Sequence, residues 1–209
     1  MPSGTSPPRP TTGTAAPTST PGTGSSPRGR WNGTRIPCEH PPSHPRTPPR
    51  RNPLQYTVTT SEGPLTVPSP DHEWTVLFFI TEPGIGERVP ELGGCTTGLC
   101  SARDAAARFA RAGARVLGAS AHAPGELAEF AAGRALGYPL IGDKDLALGR
   151  ALGVPEVRAE GRVLFERAGV VLDRTGAVRA LIHPVPDPEH HADLVLGELT
   201  RLTGEGEDD

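Results

Sequence analysis

The sequence predicts an α/β fold, a central mixed sheet with helices on both faces, behind a disordered N-terminal tail. Three observations predict it. Residues 74–80, Trp-Thr-Val-Leu-Phe-Phe-Ile, form a nearly continuous apolar run of strand length, the pattern of a central strand buried on both faces. Strand-like and helix-like patterns then alternate to residue 202 and include a terminal hairpin, which makes the sheet mixed. Composition also breaks sharply near residue 53: 14 of the 25 prolines lie within residues 1–53, where Ser, Thr, Gly and Arg supply most of the rest. Such a segment buries too little apolar surface to offset the entropy of ordering it.

The expected organisation is therefore a disordered tail over residues 1–52, one domain over 53–203 and an acidic end over 204–209. Some 150 residues suffice for one well-buried core. In the domain, Leu54–Thr59 and Leu65–Val67 flank the turn-forming Ser61-Glu62-Gly63 and predict a short hairpin. The central strand Trp74–Ile80 follows. Residues 81–94 are rich in glycine and proline, so a loop without regular structure is expected to carry the chain to Cys95. Leu99, Ala102, Ala106, Phe109 and Ala110 then mark one face of a helix, with Thr96 or Thr97 as the cap and Gly113 as the stop.

Arg115–Ser120 reads as a strand, and a helix starts near Pro124 with Leu127, Phe130 and Ala131 toward the core. Tyr138–Ile141 is a short strand, and Asp145–Leu152, closed by Gly153, a short helix. Val163–Asp173 and Ala177–His183 form two strands joined by the tight turn Arg174-Thr175-Gly176. Asp187 caps a last helix running to Leu202.

The formal net charge of −3 gives no general attraction to nucleic acid or membrane, and the Arg-bearing stretch Pro45–Arg51 reads as a solvated linker. The first thirty residues lack the apolar core of an export signal, and no segment approaches the roughly 18 apolar residues of a membrane span. A cytoplasmic location is the expectation. Lys144 is the only lysine.

Three cysteines make no disulfide framework, and a close pair in a reducing compartment points to metal or redox chemistry. Cys95 falls at the start of the first long helix, behind Gly93 and Gly94. Free amide groups and the positive dipole end there favour an anion. A thiol near pKa 8.5 is only about 3% thiolate at neutral pH, whereas one lowered to about 6 is about 90%. Cys100 lies five residues on, at about 100° per residue around an intact helix, so a bond between the two requires the first turn to unwind. The pair supports a cycle in which Cys95 becomes a sulfenic acid and Cys100 condenses with it. Two other readings stand beside it: two buried cysteines that merely pack, and a zinc site, for which C-x4-C lies at the outer limit of spacing. Cys38 with His40 and His44 is a further metal candidate. His72, His122, His183, His190 and His191 are expected in solvated or structural roles.

The stretch Gly94-Cys95-Thr96-Thr97-Gly98-Leu99-Cys100-Ser101-Ala102-Arg103-Asp104 resembles the G-C-T-T-E-A-C-x-F-R-D motif of the Q-type peroxiredoxins, also called bacterioferritin comigratory proteins. Val116–Ser120, Tyr138–Asp143, Ala151–Val154 and Arg167–Asp173 resemble further family segments, in order, over about residues 54–202. The resemblance implies a thioredoxin-like fold and a thiol peroxidase for hydrogen peroxide or small alkyl hydroperoxides, recycled by thioredoxin or a similar dithiol. It also implies a monomer or weak dimer with no metal or organic cofactor. It makes Cys95 the peroxidatic cysteine, Cys100 the resolving cysteine, and Arg167 the guanidinium beside thiolate and peroxide. From the residues alone Arg167 is a lone cation in an apolar strand, either facing an anion or paired with an exposed acid.

Three departures stand out. The family's P-x-x-x-T-x-x-C motif has Arg88 and Leu92 here in place of its proline and threonine, the loop before Cys95 is several residues longer, and Gly98 replaces a glutamate. Leu92 offers no side-chain hydrogen bond, and Thr81, Thr96 or a loop amide is the candidate substitute. The departures support an alternative, a catalytically weakened redox sensor or binding module. Thiol-disulfide exchange on proteins fits less well, because the pair is C-x4-C and not C-x2-C.

Overall fold

Strand β3 (Trp74–Phe79) lies inside the sheet, with a partner on each side. It runs parallel to β4 (Ala114–Ser120), from Trp74 opposite Ala114 to Phe79 opposite Ala119, and antiparallel to β8 (Ala168–Asp173). The computed structural model describes residues 54–204. The expectations for the tail, including Cys38, His40, His44 and Pro45–Arg51, and for residues 205–209, lie outside them.

With β1 (Tyr56–Thr60), β2 (Gly63–Val67), β5 (Leu140–Gly142) and β9 (Val178–Ile182), the sheet has seven strands in the order β2-β1-β5-β4-β3-β8-β9. It is mixed: β3, β4 and β5 are parallel, and the outer pairs antiparallel. Alternation along β3 divides the interior. Val76, Phe78 and Ile80 enter one core with Leu99, Phe109, Leu127, Val195 and Leu199, while Leu77 and Phe79 enter another with Leu148, Leu152 and Phe165. Both faces are thus covered by helices: α1 (Cys95–Asp104), α2 (Ala106–Arg111), α3 (Pro124–Gly133) and α5 (His191–Gly204) on the first, and the short α4 (Ala147–Ala151) on the second. Phe78 and Phe79 are fully buried, each contributing roughly 1.5–3 kcal/mol by removal from water.

The structure corrects several expectations. Residues 163–173 are not one strand: β7 (Arg162–Phe165) pairs with β6 (Glu156–Ala159), which sequence reasoning missed, and the chain joins the main sheet only at Ala168. The charged pair Glu166-Arg167 marks the point in this run where the chain changes partner, and it was read as part of a single strand. The first long helix breaks at Ala105 (φ −90°, ψ 1°), which re-phases its second half. Leu99, Ala102, Ala105 and Phe109 face the core, and Ala106 and Ala110 are exposed. Gly113 does end this helical segment, at φ +68°. Asp187 organises the turn before α5, accepting the Glu189 amide at 2.9 Å, and the helix itself starts at His191.

Candidate functional site

The loop of residues 81–94 is ordered, contrary to expectation, into two 3-10 turns, Ile85–Glu87 and Pro90–Leu92. Ile85 is buried beneath them, and the turns fold back so closely that a Cβ on Gly86 would stand 2.6 Å from Gly93 Cα. Charge holds the outer side. Glu82, 7% exposed, accepts hydrogen bonds from Arg88 and Arg162, Arg88 Nε also donates to Glu160 at 2.9 Å, and His122 Nε2 lies 3.4 Å from Glu82. Burial opposes the Glu82 charge, but the Arg88 and Arg162 hydrogen bonds outweigh it and hold the carboxyl below its ordinary range.

The loop ends at Gly94, the residue that caps α1, with φ +87°. No side chain caps this helix, so the expected Thr96 or Thr97 cap is replaced; both threonines lie inside the first turn. Glycine is required here twice over. The left-handed backbone disfavours a Cβ, and that Cβ would meet Pro188 Cγ at 2.3 Å.

Cys95 is therefore the first residue of α1, only 2% exposed, with its Sγ–H directed at the Leu92 carbonyl oxygen 3.6 Å away. Cys100 is half-buried farther along the same helix, and both thiols are free. Tyr138 is its neighbour: the phenol donates to the Leu99 carbonyl at 2.7 Å, and burial, with the proximity of Cys100, pushes its pKa above the ordinary tyrosine value.

Arg167 is not a strand residue. It occupies the link between β7 and β8, half-buried, and donates to the carbonyls of Gly93 and, at 3.3 Å, Val185. Its Nη2 would lie 3.3 Å from a Cβ on Gly94. The guanidinium is thus set against the two residues preceding Cys95, bonded to main-chain oxygens in place of the carboxylate that the exposed-pair alternative required.

Sequence reasoning missed the role of His191. Its imidazole is fully buried, edge-on to Phe78 with ring centroids 4.8 Å apart, and packs over two glycines. A Cβ on Gly98 would stand 3.2 Å from Nδ1, and one on Gly169 3.5 Å from Nε2. Burial, and secondarily Arg167, lower its pKa to about 3, so it is neutral. The available signal was the spacing of His191, Val195 and Leu199 on one helical face. The other described histidines have polar partners: His72 with Ser69, His122 with Ser120, His183 with Glu166 and His190 with Asp187. Among the described residues no three His, Cys, Asp or Glu side chains gather to hold a metal ion.

Comparison with known proteins places this geometry. The AhpC/TSA family matches residues 57–181, which carry the main sheet, α1 and Arg167. The chain belongs to that family. The chloroplastic peroxiredoxin Q of Gentiana triflora is 35% identical over 106 residues, covering 51% of this chain and 48% of the relative. Among solved structures, peroxidoxin BcpB of Mycobacterium tuberculosis superposes with a TM-score of 0.61 at 25% identity, over 73% of this chain and 96% of that one. The bacterioferritin comigratory protein of Xanthomonas campestris, studied for its alkyl peroxide reduction, superposes at 0.59 with 26% identity, over 70% and 91%. These likenesses bear out the Q-type resemblance and the thioredoxin-like fold. The chain spans about half the length of the first curated relatives it matches. The expected cytoplasmic location is withdrawn: the four curated relatives are named chloroplastic peroxiredoxin Q. The lack of an apolar export core, on which that expectation rested, addresses only one kind of targeting segment.

Proposed function

We propose that this chain is a thiol peroxidase that reduces hydrogen peroxide or small alkyl hydroperoxides through a Cys95–Cys100 disulfide. The observation that carries the reading is the seat of Cys95: first residue of α1, behind a two-glycine approach, with the Arg167 guanidinium against that approach. Cys95 as thiolate attacks one peroxide oxygen, the O–O bond breaks, and the leaving oxygen takes a proton to depart as water or alcohol. Cys95 is left as the sulfenic acid, and the Cys100 thiol displaces water from it to form the disulfide. An external dithiol, thioredoxin or a similar protein, returns both thiols and is itself oxidised. No metal or organic cofactor enters these steps, and the unit acting is the domain of residues 53–203, as monomer or weak dimer.

Two features of the reduced form must change during the cycle. Cys95 is 2% exposed and directs its proton at a carbonyl, so peroxide enters only when the Leu92–Cys95 segment opens. Cys100 sits five residues on along an intact helix, so the bond forms only when the first turn of α1 unwinds.

The same burial, with Leu92 in place of a hydroxyl-bearing residue, favours a second reading, a slow redox sensor without repeated turnover. Stopped-flow oxidation of the reduced protein, followed by intact mass, separates the two. The peroxidase reading expects second-order oxidation much faster than free cysteine, loss of two hydrogens in the product, and many turnovers with a thioredoxin system. Cys95→Ser abolishes all three, and Cys100→Ser stops at the sulfenic acid. Rates equal to free cysteine would discard it.

A further inference from the structure

Among the described residues, three buried side-chain atoms have no hydrogen-bond partner: Arg167 Nε, His191 Nδ1 and His191 Nε2. Buried polar groups are nearly always paired, so unsatisfied ones in one place call for a cause. All three belong to residues that pack against the first turn of α1. His191 Nδ1 lies over Gly98, and the Arg167 side chain borders both Gly94 and Gly98, its Nη2 3.3 Å and its Cδ 3.8 Å from the places their Cβ atoms would occupy.

Gly94 and Gly98 are also the two ends of one hydrogen bond. The Gly98 amide donates to the Gly94 carbonyl at 2.9 Å, closing the turn that contains Cys95. A disulfide between Cys95 and Cys100 requires that turn to open, which strips a donor from the buried Gly98 and an acceptor from the half-buried Gly94. Each would ordinarily be a costly loss.

We propose that His191 and Arg167 are positioning residues for the unwound state: when the turn opens, His191 Nδ1 accepts the freed Gly98 N–H and Arg167 Nε–H donates to the freed Gly94 carbonyl. The match is in both kind and place, an unpaired acceptor beside the donor to be released and an unpaired donor beside the acceptor. A neutral imidazole is required for acceptance, and burial keeps His191 neutral far below physiological pH. Gly98 contributes by having no side chain to keep the ring away. The disulfide form thus satisfies two of the three unpaired atoms of the reduced protein, leaving only the protonated Nε2 against Gly169, and oxidation is favoured accordingly. This rests on the reading of Cys95 and Cys100 as a disulfide-forming pair, but not on peroxide as the oxidant.

The test is the equilibrium of the purified protein with a dithiol redox buffer, read as the fraction of Cys95–Cys100 disulfide. His191→Phe, similar in size and apolar, is expected to lower the equilibrium constant for disulfide formation about tenfold, a potential about 30 mV more positive. His191→Asn retains an acceptor near the Nδ1 position and is expected to recover most of that change. In wild-type protein, the His191 Nδ1 resonance in long-range 1H–15N spectra is expected to move on oxidation in the sense of a nitrogen that gains a hydrogen bond. A wild-type equilibrium constant in His191→Phe, or an unmoved Nδ1 resonance, would overturn the proposal. If wild-type protein forms the bond in dithiol buffer yet fails to consume peroxide, the peroxidase reading falls and this inference stands.

Discussion

The thiol of Cys95 points at the main-chain oxygen of Leu92, 3.6 Å away, and that residue supplies no hydroxyl in its side chain. A carbonyl oxygen welcomes a thiol proton and repels an anion, so this contact must be broken before Cys95 reacts. Removing one donor aimed at a transition state costs about 10²-fold to 10³-fold in rate. Leu92→Thr is accordingly expected to raise the second-order constant for Cys95 oxidation by about tenfold or more, measured by stopped flow. An unchanged constant would mean that another group already fills the role.

Gly94 and Gly84 separate backbone strain from crowding. Both have left-handed φ, +87° and +75°, but a Cβ on Gly84 meets nothing within 4 Å, while one on Gly94 runs into Pro188. Gly84→Ala is expected to cost about 1 kcal/mol by conformation alone. Gly94→Ala should cost about 2–4 kcal/mol, because overpacking adds to strain. Urea midpoints of the two variants provide the comparison, and equal losses would refute it.

His191 ties stability to pH. In the unfolded chain the imidazole titrates near 6.5, and in the folded protein at about 3, because burial and then Arg167 disfavour the cation. Between those values the unfolded chain holds a proton that the folded one does not, so acid favours unfolding. The contribution is complete above pH 6.5 and is lost as pH falls toward 3, on the order of a few kcal/mol. His191→Phe should flatten the urea midpoint over that range relative to wild type; parallel curves would count against it.

Glu82 pins the Cys95 loop to its surroundings through Arg88 and Arg162. Glu82→Gln is expected to lower stability at pH 7 by about 1–3 kcal/mol, since it removes the buried anion that Arg88 and Arg162 share and leaves them only the more exposed Glu160. It should also speed hydrogen exchange through residues 85–92. The depressed carboxyl pKa sets the pH behaviour: the ion cluster contributes fully above the ordinary value of 4.5 and fades as pH drops below it. The gap between wild type and variant should therefore close in acid. A gap constant down to pH 3 would show that charge is not what holds the loop.

Elements with a strong local signature were legible in the sequence. The run at residues 74–80 gave a strand with partners on both sides, and Gly113 and Pro124 marked where helices stop and start. The place of Cys95 at a helix start was legible too, because a glycine-rich approach and apolar spacing beyond it are both local. The loop of residues 81–94 was not. Its order comes from Glu82 meeting Arg162, 80 residues on, and nothing in glycine and proline content encodes a partner so distant.

Arg167 and His191 mark the division most clearly. Sequence alone made Arg167 a lone cation in an otherwise apolar segment and set His191 near the start of the last helix, since periodicity is a property of the chain's own geometry. Only tertiary structure decided that Arg167 reaches the Gly93 carbonyl, 74 residues earlier, and that His191 rests on Gly98. Those contacts depend on how the sheet orders its strands and how closely glycine lets side chains approach. Neither quantity is written within any short stretch of residues.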